Sequence, residues 1–350
     1  MLSAERKDGQ SPTGVVRSAG RSRDWRRIAE PWEGFLGSVA DRLAAQVEEF
    51  LPDLATLAAY ALSVQGKQLR PLLVGLGAGA TGGVKDGHVS VAVIIEMVHL
   101  ATLVHDDVMD GALVRRGRPT LAANWGHEIA VLLGDCLFAH SLKMAAGFPT
   151  PEVCRAVASA TNTVCGGEIL QTQRRRRTDL SRAEYFQMLA MKTGELFALA
   201  CDLGAFLNGA PPAQRTALRD FGLALGTAYQ LYDDCLDLFG DESAAGKSLG
   251  TDLARGKLTL PLLVVMEQAD PETRRQFTAM VSNWNPADLP TVKGWLRQYN
   301  AFAEARQAMS QYLHSACRSL DFLPDSTARE ALLDLTGFLR AQTESLGSGT

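Results

Sequence analysis

The sequence has little of several features that mark specialised classes of protein. Its six cysteines are scattered over 350 residues without a Cys-x-x-Cys pair, which argues against a disulfide framework or zinc site and favours a cytoplasmic chain. Acidic and basic residues number 39 and 35, so we expect no binding to nucleic-acid phosphates. We expect no membrane span either, because Glu96, His99 and Thr102 interrupt the apolar stretch Val89–Val104.

Period-two alternation and hairpin turns of the Asn-Gly type are also missing, so we predict no β-strands. Apolar residues instead recur at helical spacing, and Val89–Met109 is apolar nearly all round, which predicts a buried central helix. Ser181 and Thr327, each followed three residues later by glutamate, predict helix starts. We therefore predict an all-α fold, with one large helical bundle over residues 25–345 after a solvated, disordered tail at residues 1–24.

Two acidic clusters carry the clearest chemical signal. Both read Asp-Asp-x-x-Asp, at Asp106–Asp110 and Asp233–Asp237, and both follow an apolar helical stretch. The first and last carboxylates of each cluster are four residues apart, so they project from one helix face. Acids in such a place are costly unless a cation meets them, and carboxylate oxygens suit Mg²⁺. The predicted magnesium ligands are Asp106, Asp110, Asp233 and Asp237.

Basic residues next to glycines accompany both clusters, and they are the residue types that bind phosphate oxygens. They are Lys67, Arg70, Arg115, Arg116, Lys192, Lys247 and Lys257. His99 lies two helical turns before Asp106, on the same helix face. Two acidic and two basic groups predict two diphosphate sites, and the apolar helices beneath them predict hydrocarbon substrates. No nucleophile–base pair and no phosphate-binding glycine loop accompanies them, which argues against hydrolase and kinase chemistry.

The order and spacing of these motifs resemble the trans-isoprenyl diphosphate synthases, also called polyprenyl synthetases. The matching segments are Gly66–Pro71, His99–Asp110, Arg115–Thr120, Lys192–Thr193, Gln230–Asp237 and Gly246–Pro261. The resemblance implies an all-helical bundle of the isoprenoid synthase type around a deep central cavity, usually as a homodimer. It also implies Mg²⁺-dependent ionisation of an allylic diphosphate and head-to-tail condensation with isopentenyl diphosphate, releasing pyrophosphate.

The resemblance assigns a role to each candidate residue. Asp106, Asp110 and Asp233 would ligate Mg²⁺ on the allylic diphosphate, with Asp237 acting through water. The groups on the same diphosphate would be the catalytic cations Arg115, Lys192 and Lys257, with Thr193, Gln230 and Lys247 beside them. The isopentenyl diphosphate would be held by Lys67, Arg70, His99 and Arg116.

Two further segments carry expectations about the product. Ala101 and Thr102 lie just before the first cluster, where bulky aromatics stop chain growth in the family, so small residues predict a hexaprenyl-to-decaprenyl product. Arg174–Arg177 is a run of four arginines, which we interpret as a solvated loop. The alternative is contact with an anionic membrane surface that helps to release the product.

Two other functions stay open from the sequence. A class I terpene cyclase shares the fold and the first cluster, although its second metal motif is normally different and it has no use for Lys67 and Arg70. A non-catalytic subunit of a heteromeric prenyl synthase is the other alternative. Such subunits tend to lose acids, whereas both clusters are whole here.

Overall fold

A computed structural model describes residues 25–63, 66–240 and 250–346 of the chain. The predicted tail at residues 1–24 and the candidate Lys247 lie outside these ranges. The α-helices are α1 Trp25–Ala29, α2 Glu33–Ala45, α3 Ala55–Leu62, α4 Leu69–Thr81, α5 Asp86–Met109, α6 Leu121–Trp125, α7 His127–Ala146, α8 Glu152–Gln173, α9 Arg182–Leu189, α10 Glu195–Phe206, α11 Pro212–Phe239, α12 Thr251–Ala254, α13 Leu260–Gln268, α14 Pro271–Ser282, α15 Leu289–Gln298, α16 Ala301–Ser319 and α17 Thr327–Ser345. The prediction of an all-α fold is confirmed.

One small β-hairpin departs from the prediction of no strands. Strand β1 is Val114–Arg115 and pairs antiparallel with β2, Arg118–Pro119. The two turn residues, Arg116 and Gly117, have φ of +51° and +74°, the left-handed conformations that a tight two-residue hairpin turn requires. Two-residue strands are too short for alternation to reveal them, and an Arg-Gly turn lacks the usual Asn-Gly signal. The sequence prediction was wrong here for those two reasons.

Helix α5 is the central helix, as its apolar composition predicts. Every residue from Val91 to Val98 is buried, Glu96 among them at 7% exposure, and α2, α4, α7 and α10 pack around it. By length and composition alone α5 and α7 could each cross a membrane. The most apolar window of α5 is 72% buried inside the bundle, so its composition is that of a core helix. The same window of α7 is only 39% buried.

The bundle has two hydrophobic cores that share helix α11. The first core contains α5 and its neighbours, together with Leu218 and Phe221 from the first half of α11. The second contains Leu231 and Leu238 from the last half of α11, packed with α9 and the helices from α12 to α16. The second acidic cluster therefore lies on the part of α11 that enters the second core.

Of the two helix starts predicted at Ser181 and Thr327, the structure confirms the first. Ser181 caps α9, because its hydroxyl accepts a hydrogen bond from the Glu184 amide at 3.2 Å and the Glu184 carboxylate accepts one from the Ser181 amide at 3.1 Å. The predicted cap at Thr327 is wrong by one residue. Ser326 is the cap of α17, and its hydroxyl accepts from the Arg329 amide at 3.1 Å.

Candidate active site

Lys192 and Thr193 lie on a wide turn, Ala190–Gly194, which has π-helical hydrogen bonding between α9 and α10. Close packing of helices surrounds this turn. A Cβ atom on Gly167 of α8 would lie 2.9 Å from the Lys192 amide nitrogen, and one on Gly194 would lie 3.1 Å from the Leu223 carbonyl oxygen of α11. Glycine at both positions allows the turn to sit tightly between α8 and α11.

The Lys192 ammonium group joins the first acidic cluster to α8. Its Nζ lies 3.6 Å from Asp106 Oδ2, donates to Gln171 Oε1 at 3.1 Å, and forms an ion pair with Glu168. Burial opposes the charge of Lys192, but the carboxylates of Asp106 and Glu168 outweigh it and raise the pKa of Lys192. Burial also raises the pKa of Asp106, although Lys192 counteracts that effect. Lys192 is therefore a protonated donor at neutral pH.

Asp110 lies among three cations. Its Oδ2 is 3.1 Å from a terminal guanidinium nitrogen of Arg255 and 3.5 Å from Lys257 Nζ, and its Oδ1 is 3.0 Å from a terminal guanidinium nitrogen of Arg175. The interpretation of Arg174–Arg177 as a solvated loop is therefore wrong for its first half. Arg174 likewise pairs with Glu184 at 3.0 Å, and packing of this loop against the bundle gives both guanidinium groups carboxylate partners.

Arg115 approaches the first cluster from the hairpin. Its Nε donates to Asp107 Oδ1 at 2.8 Å, and the Asp107 side chain is 9% exposed. Burial raises the pKa of Asp107, and the Arg115 charge and hydrogen bond oppose this rise. The hairpin thus places Arg115 against α5, on the middle carboxylate of the first cluster.

The second cluster is organised by uncharged donors around Asp234. The Tyr185 hydroxyl donates to Asp234 Oδ2 at 2.6 Å, and Gln230 Nε2 donates to Oδ1 at 2.9 Å. The Thr193 hydroxyl donates in turn to Gln230 Oε1 at 2.8 Å, which links this network to the wide turn that carries Lys192. Burial raises the pKa of Asp234 to about 7, and the charge of Asp252 adds to the shift.

Asp237 is buried at 3% exposure and anchors the start of α12. Its Oδ1 accepts from the amide and hydroxyl of Thr251 at 3.2 and 3.1 Å, and its Oδ2 accepts from the Asp252 amide at 3.1 Å. Asp237 therefore holds the segment that carries Arg255 and Lys257. Asp233, four residues earlier, is partly exposed. The roles in Mg²⁺ binding that the sequence suggests for both residues remain predictions.

One pocket is lined by cations that contact the first cluster and by residues of the second. Its lining includes Lys192 and Lys257, which contact Asp106 and Asp110, together with Gln230 and Asp234 from α11. Across the described ranges, no three His, Cys, Asp or Glu side chains are grouped closely enough to hold a metal ion by themselves. The donor set still suits Mg²⁺, because that ion prefers carboxylate oxygens and normally completes its shell with water and phosphate oxygens.

The family described as Polyprenyl synthetase matches residues 52–296, which is well over half of the 350 residues. The chain belongs to this family. Membership makes it a trans-prenyltransferase with the all-helical isoprenoid synthase fold, as the sequence predicts.

Individual polyprenyl synthetases match over most of their length. Octaprenyl diphosphate synthase of Escherichia coli (strain K12) is 33% identical over 310 residues, covering 88% of this chain and 94% of that protein. A decaprenyl diphosphate synthase from Rhodobacter capsulatus has a TM-score of 0.86 at 31% identity, covering 91% and 99%. A polyprenyl synthase from Caulobacter crescentus CB15, complexed with calcium and isoprenyl diphosphate, has a TM-score of 0.85 at 32% identity, covering 92% and 99%.

The basic residues predicted for the second diphosphate form a group of their own in this polyprenyl synthetase. The Arg116 guanidinium packs on Gly66, where a Cβ would lie 2.6 Å from one of its terminal nitrogens. Arg70 stacks on the Phe197 ring at 5.1 Å, and its Nε is buried without a hydrogen-bond partner among the described residues. Burial lowers the pKa of His99 well below its usual range, with the charges of the neighbouring arginines adding, so His99 is neutral.

The Lys67 side chain contacts aromatic rings from the first and the last described helices. Its Nζ lies 5.9 Å from the centre of the Trp25 ring in α1 and 5.4 Å from that of Phe338 in α17. The two rings are themselves in contact, with centres 6.0 Å apart. Cation–π attraction to both rings therefore positions the Lys67 ammonium group, and its role in binding isopentenyl diphosphate remains a prediction.

Several residues of the site are not predicted by the sequence, Arg175 and Arg255 beside Asp110 among them. Glu168 and Gln171 of α8 hold Lys192, and Tyr185 of α9 holds Asp234. A signal for the two α8 residues was present in Gly166-Gly167, since adjacent glycines inside a helix weaken it and usually mark a close approach. Tyr185 had no comparable signal, because a tyrosine in an amphipathic helix is most often a core residue.

Proposed function

We propose that this polyprenyl synthetase condenses isopentenyl diphosphate head-to-tail with an allylic diphosphate, giving a polyprenyl diphosphate and pyrophosphate. One observation carries the proposal. Lys192 and Lys257, which contact the first acidic cluster, line the same pocket as Gln230 and Asp234 of the second cluster. Two acidic helix ends separated by cations can enclose one diphosphate group.

Each group of residues has a defined part in this reaction. Bound Mg²⁺, held by Asp106, Asp110 and Asp233, would neutralise the diphosphate and so favour its departure. Lys192 and Lys257 direct positive charge to the same place, where negative charge develops as the allylic carbon–oxygen bond breaks. The apolar helices keep water away from the carbocation. The released pyrophosphate is the proposed acceptor of the proton lost after condensation, so no side-chain base is needed.

The basic group on α4, α5 and the hairpin is the proposed site for isopentenyl diphosphate. Arg70 and Arg116 offer planar guanidinium groups to phosphate oxygens, and Lys67 adds a point charge. Neutral His99 supplies a ring N–H or an acceptor without adding to the repulsion between the neighbouring cations. The double bond of isopentenyl diphosphate would then face the allylic carbon across the end of α5.

We propose a product in the hexaprenyl-to-decaprenyl range. Ala101 is completely buried and Thr102 partly so, and neither places an aromatic ring beneath the first cluster. The two named relatives whose product length is stated are an octaprenyl and a decaprenyl diphosphate synthase. Both lie inside the proposed range.

A homodimer is the proposed assembly. Helix α7 exposes Ile129, Leu132 and Cys136 along one face at helical spacing, with Leu132 at 60% exposure. A stripe of this kind is covered most simply by the same stripe of a second copy.

A cytoplasmic location is consistent with six unpaired cysteines. The membrane alternative has less support, because only Arg176 and Arg177 of the arginine run are exposed.

The decisive experiment incubates the purified chain with labelled isopentenyl diphosphate and, in separate reactions, geranyl, farnesyl and geranylgeranyl diphosphate. We expect labelled polyprenyl diphosphate when Mg²⁺ is present and none after chelation. Conversion of the allylic diphosphate alone into a cyclised hydrocarbon would support a terpene cyclase instead. Activity that appears only after a second subunit is added would support the heteromeric alternative.

A further inference from the structure

The run Arg174–Arg177, the arginine loop, is fastened to the segment that carries Lys257. The Arg176 amide donates to the Gly256 carbonyl oxygen at 2.6 Å. Gly256 has a φ of +73°, and a Cβ there would lie 2.4 Å from Cγ of Arg176. Glycine at 256 therefore allows the two segments to meet, and their junction lies next to Asp110.

Arg175 extends from this junction to the first acidic cluster. One terminal nitrogen lies 3.0 Å from Asp110 Oδ1, and the side chain is only 22% exposed. Its Nε is buried and has no hydrogen-bond partner among the described residues. A buried guanidinium nitrogen without an acceptor costs free energy, so the position favours a ligand that brings a further acceptor.

The charge around Asp110 also favours an anionic ligand. Three cationic groups, from Arg175, Arg255 and Lys257, lie within 3.5 Å of its one carboxylate. Mg²⁺ held by Asp110 would add to this positive charge, so a negatively charged ligand is needed to balance it. A diphosphate brings several negative charges and a row of acceptor oxygens, which the fork of an arginine binds through two hydrogen bonds.

We propose that Arg175 is a binding residue for the allylic diphosphate, and that its guanidinium passes from Asp110 to that group when Mg²⁺ and substrate bind. The inference rests on the proposed function and adds to it a residue from the arginine loop. Because Arg175 contacts the first acidic cluster rather than the basic group of Arg70 and Arg116, we assign it to the allylic diphosphate and not to isopentenyl diphosphate.

The test compares Arg175→Gln with Arg177→Gln, a matched control from the same loop whose partner is the exposed Asp179. Titration calorimetry with inorganic pyrophosphate and Mg²⁺ measures binding without turnover. We expect Arg175→Gln to weaken pyrophosphate binding by about tenfold, the effect of one charged hydrogen bond. Arg175→Lys should recover part of the loss, and Arg177→Gln should stay within about twofold of the unchanged chain, as expected for a surface pair.

Steady-state kinetics separates the two substrates. The KM for the allylic diphosphate should rise in Arg175→Gln, while the KM for isopentenyl diphosphate stays constant. Unchanged pyrophosphate affinity, or an equal rise in both KM values, would overturn the proposal. A lower melting temperature with unchanged affinity would also overturn it, since it would indicate a purely structural ion pair. The two proposals can fail separately. If the unchanged chain consumes no isopentenyl diphosphate, the proposed function fails. If Arg175→Gln nevertheless binds pyrophosphate more weakly than the unchanged chain, the binding role of Arg175 stands.

Discussion

The two acidic clusters have the same sequence pattern but are held in different ways. At the end of α5, Asp106, Asp107 and Asp110 all lie within 3.6 Å of a lysine or arginine nitrogen. At the end of α11, Asp234 and Asp237 accept hydrogen bonds from hydroxyl, amide and backbone donors that carry no charge. Positive side chains therefore neutralise the carboxylates of the first cluster, whereas hydrogen bonds from uncharged donors fix the positions of Asp234 and Asp237 in the second.

This difference indicates how one site can both bind and release a charged ligand. Cations paired with the first cluster can exchange partners when a diphosphate arrives, because ion pairs tolerate some variation in distance and direction. The hydrogen bonds of the second cluster are directional, so they hold the α11 carboxylates in place during that exchange. The rigid cluster then positions the ligand, and the exchangeable cluster responds to it.

The largest effect should come from removing a charge of the first cluster. We expect Asp106→Asn to lower kcat/KM for the allylic substrate by about 10²–10³-fold, the range seen when one group that stabilises a transition state is lost. Asp135→Asn is the control, since that carboxylate is 63% exposed and lies beside His105. Its kcat/KM should stay near that of the unchanged chain. A similar loss in both variants, measured by steady-state kinetics, would contradict a special role for the first cluster.

A substitution at the second cluster should chiefly lower the free energy of unfolding. Tyr185→Phe removes the hydroxyl that donates to buried Asp234, and we expect the free energy of unfolding to fall by about 1–3 kcal/mol in urea denaturation. Tyr299→Phe is the control, because its hydroxyl donates to the exposed Asp270 at 3.2 Å. The control should lose less. Equal losses would mean that the uncharged donors of the second cluster contribute nothing beyond an ordinary surface hydrogen bond.

A third substitution tests the region just before the first cluster on α5, where the growing prenyl chain should pass. Ala101→Phe should shorten the product, since a ring at this buried position would push into the path proposed for the growing chain. Chromatography of the dephosphorylated products measures chain length, and Ala101→Val should give an intermediate result. Overpacking by the ring should cost about 1–3 kcal/mol, so the melting temperature is checked in parallel. A folded Ala101→Phe variant with unchanged product length would refute this placement.

The smallest effect lies outside both clusters. Phe338→Leu keeps an apolar side chain but removes one of the two rings beside Lys67. Loss of one exposed cation–π contact should raise the KM for isopentenyl diphosphate about threefold and leave the KM for the allylic substrate unchanged. A rise in the allylic KM alone would show that Lys67 serves the clusters instead of the second substrate.

Local sequence predicts the chemistry of the site but not which residues contact the predicted ligands. The aspartates and Lys192 belong to short motifs with fixed spacing, and the capping box at Ser181 is complete within four residues. The contact between Arg175 and Asp110 joins residues 65 positions apart, and it depends on how the loop after α8 is held against the segment around Gly256. No periodicity encodes that distance. The composition of the arginine loop therefore predicts a solvated loop, whereas Arg174 and Arg175 form ion pairs with the bundle.

The position of Lys67 makes one substrate site dependent on the whole length of the fold. Its ammonium group rests on rings from the first and the last described helix, which are separated by more than three hundred residues. A chain whose last helix has not yet packed would lack one of these rings and would hold isopentenyl diphosphate less tightly. Chain elongation would then become more efficient once α17 is in place.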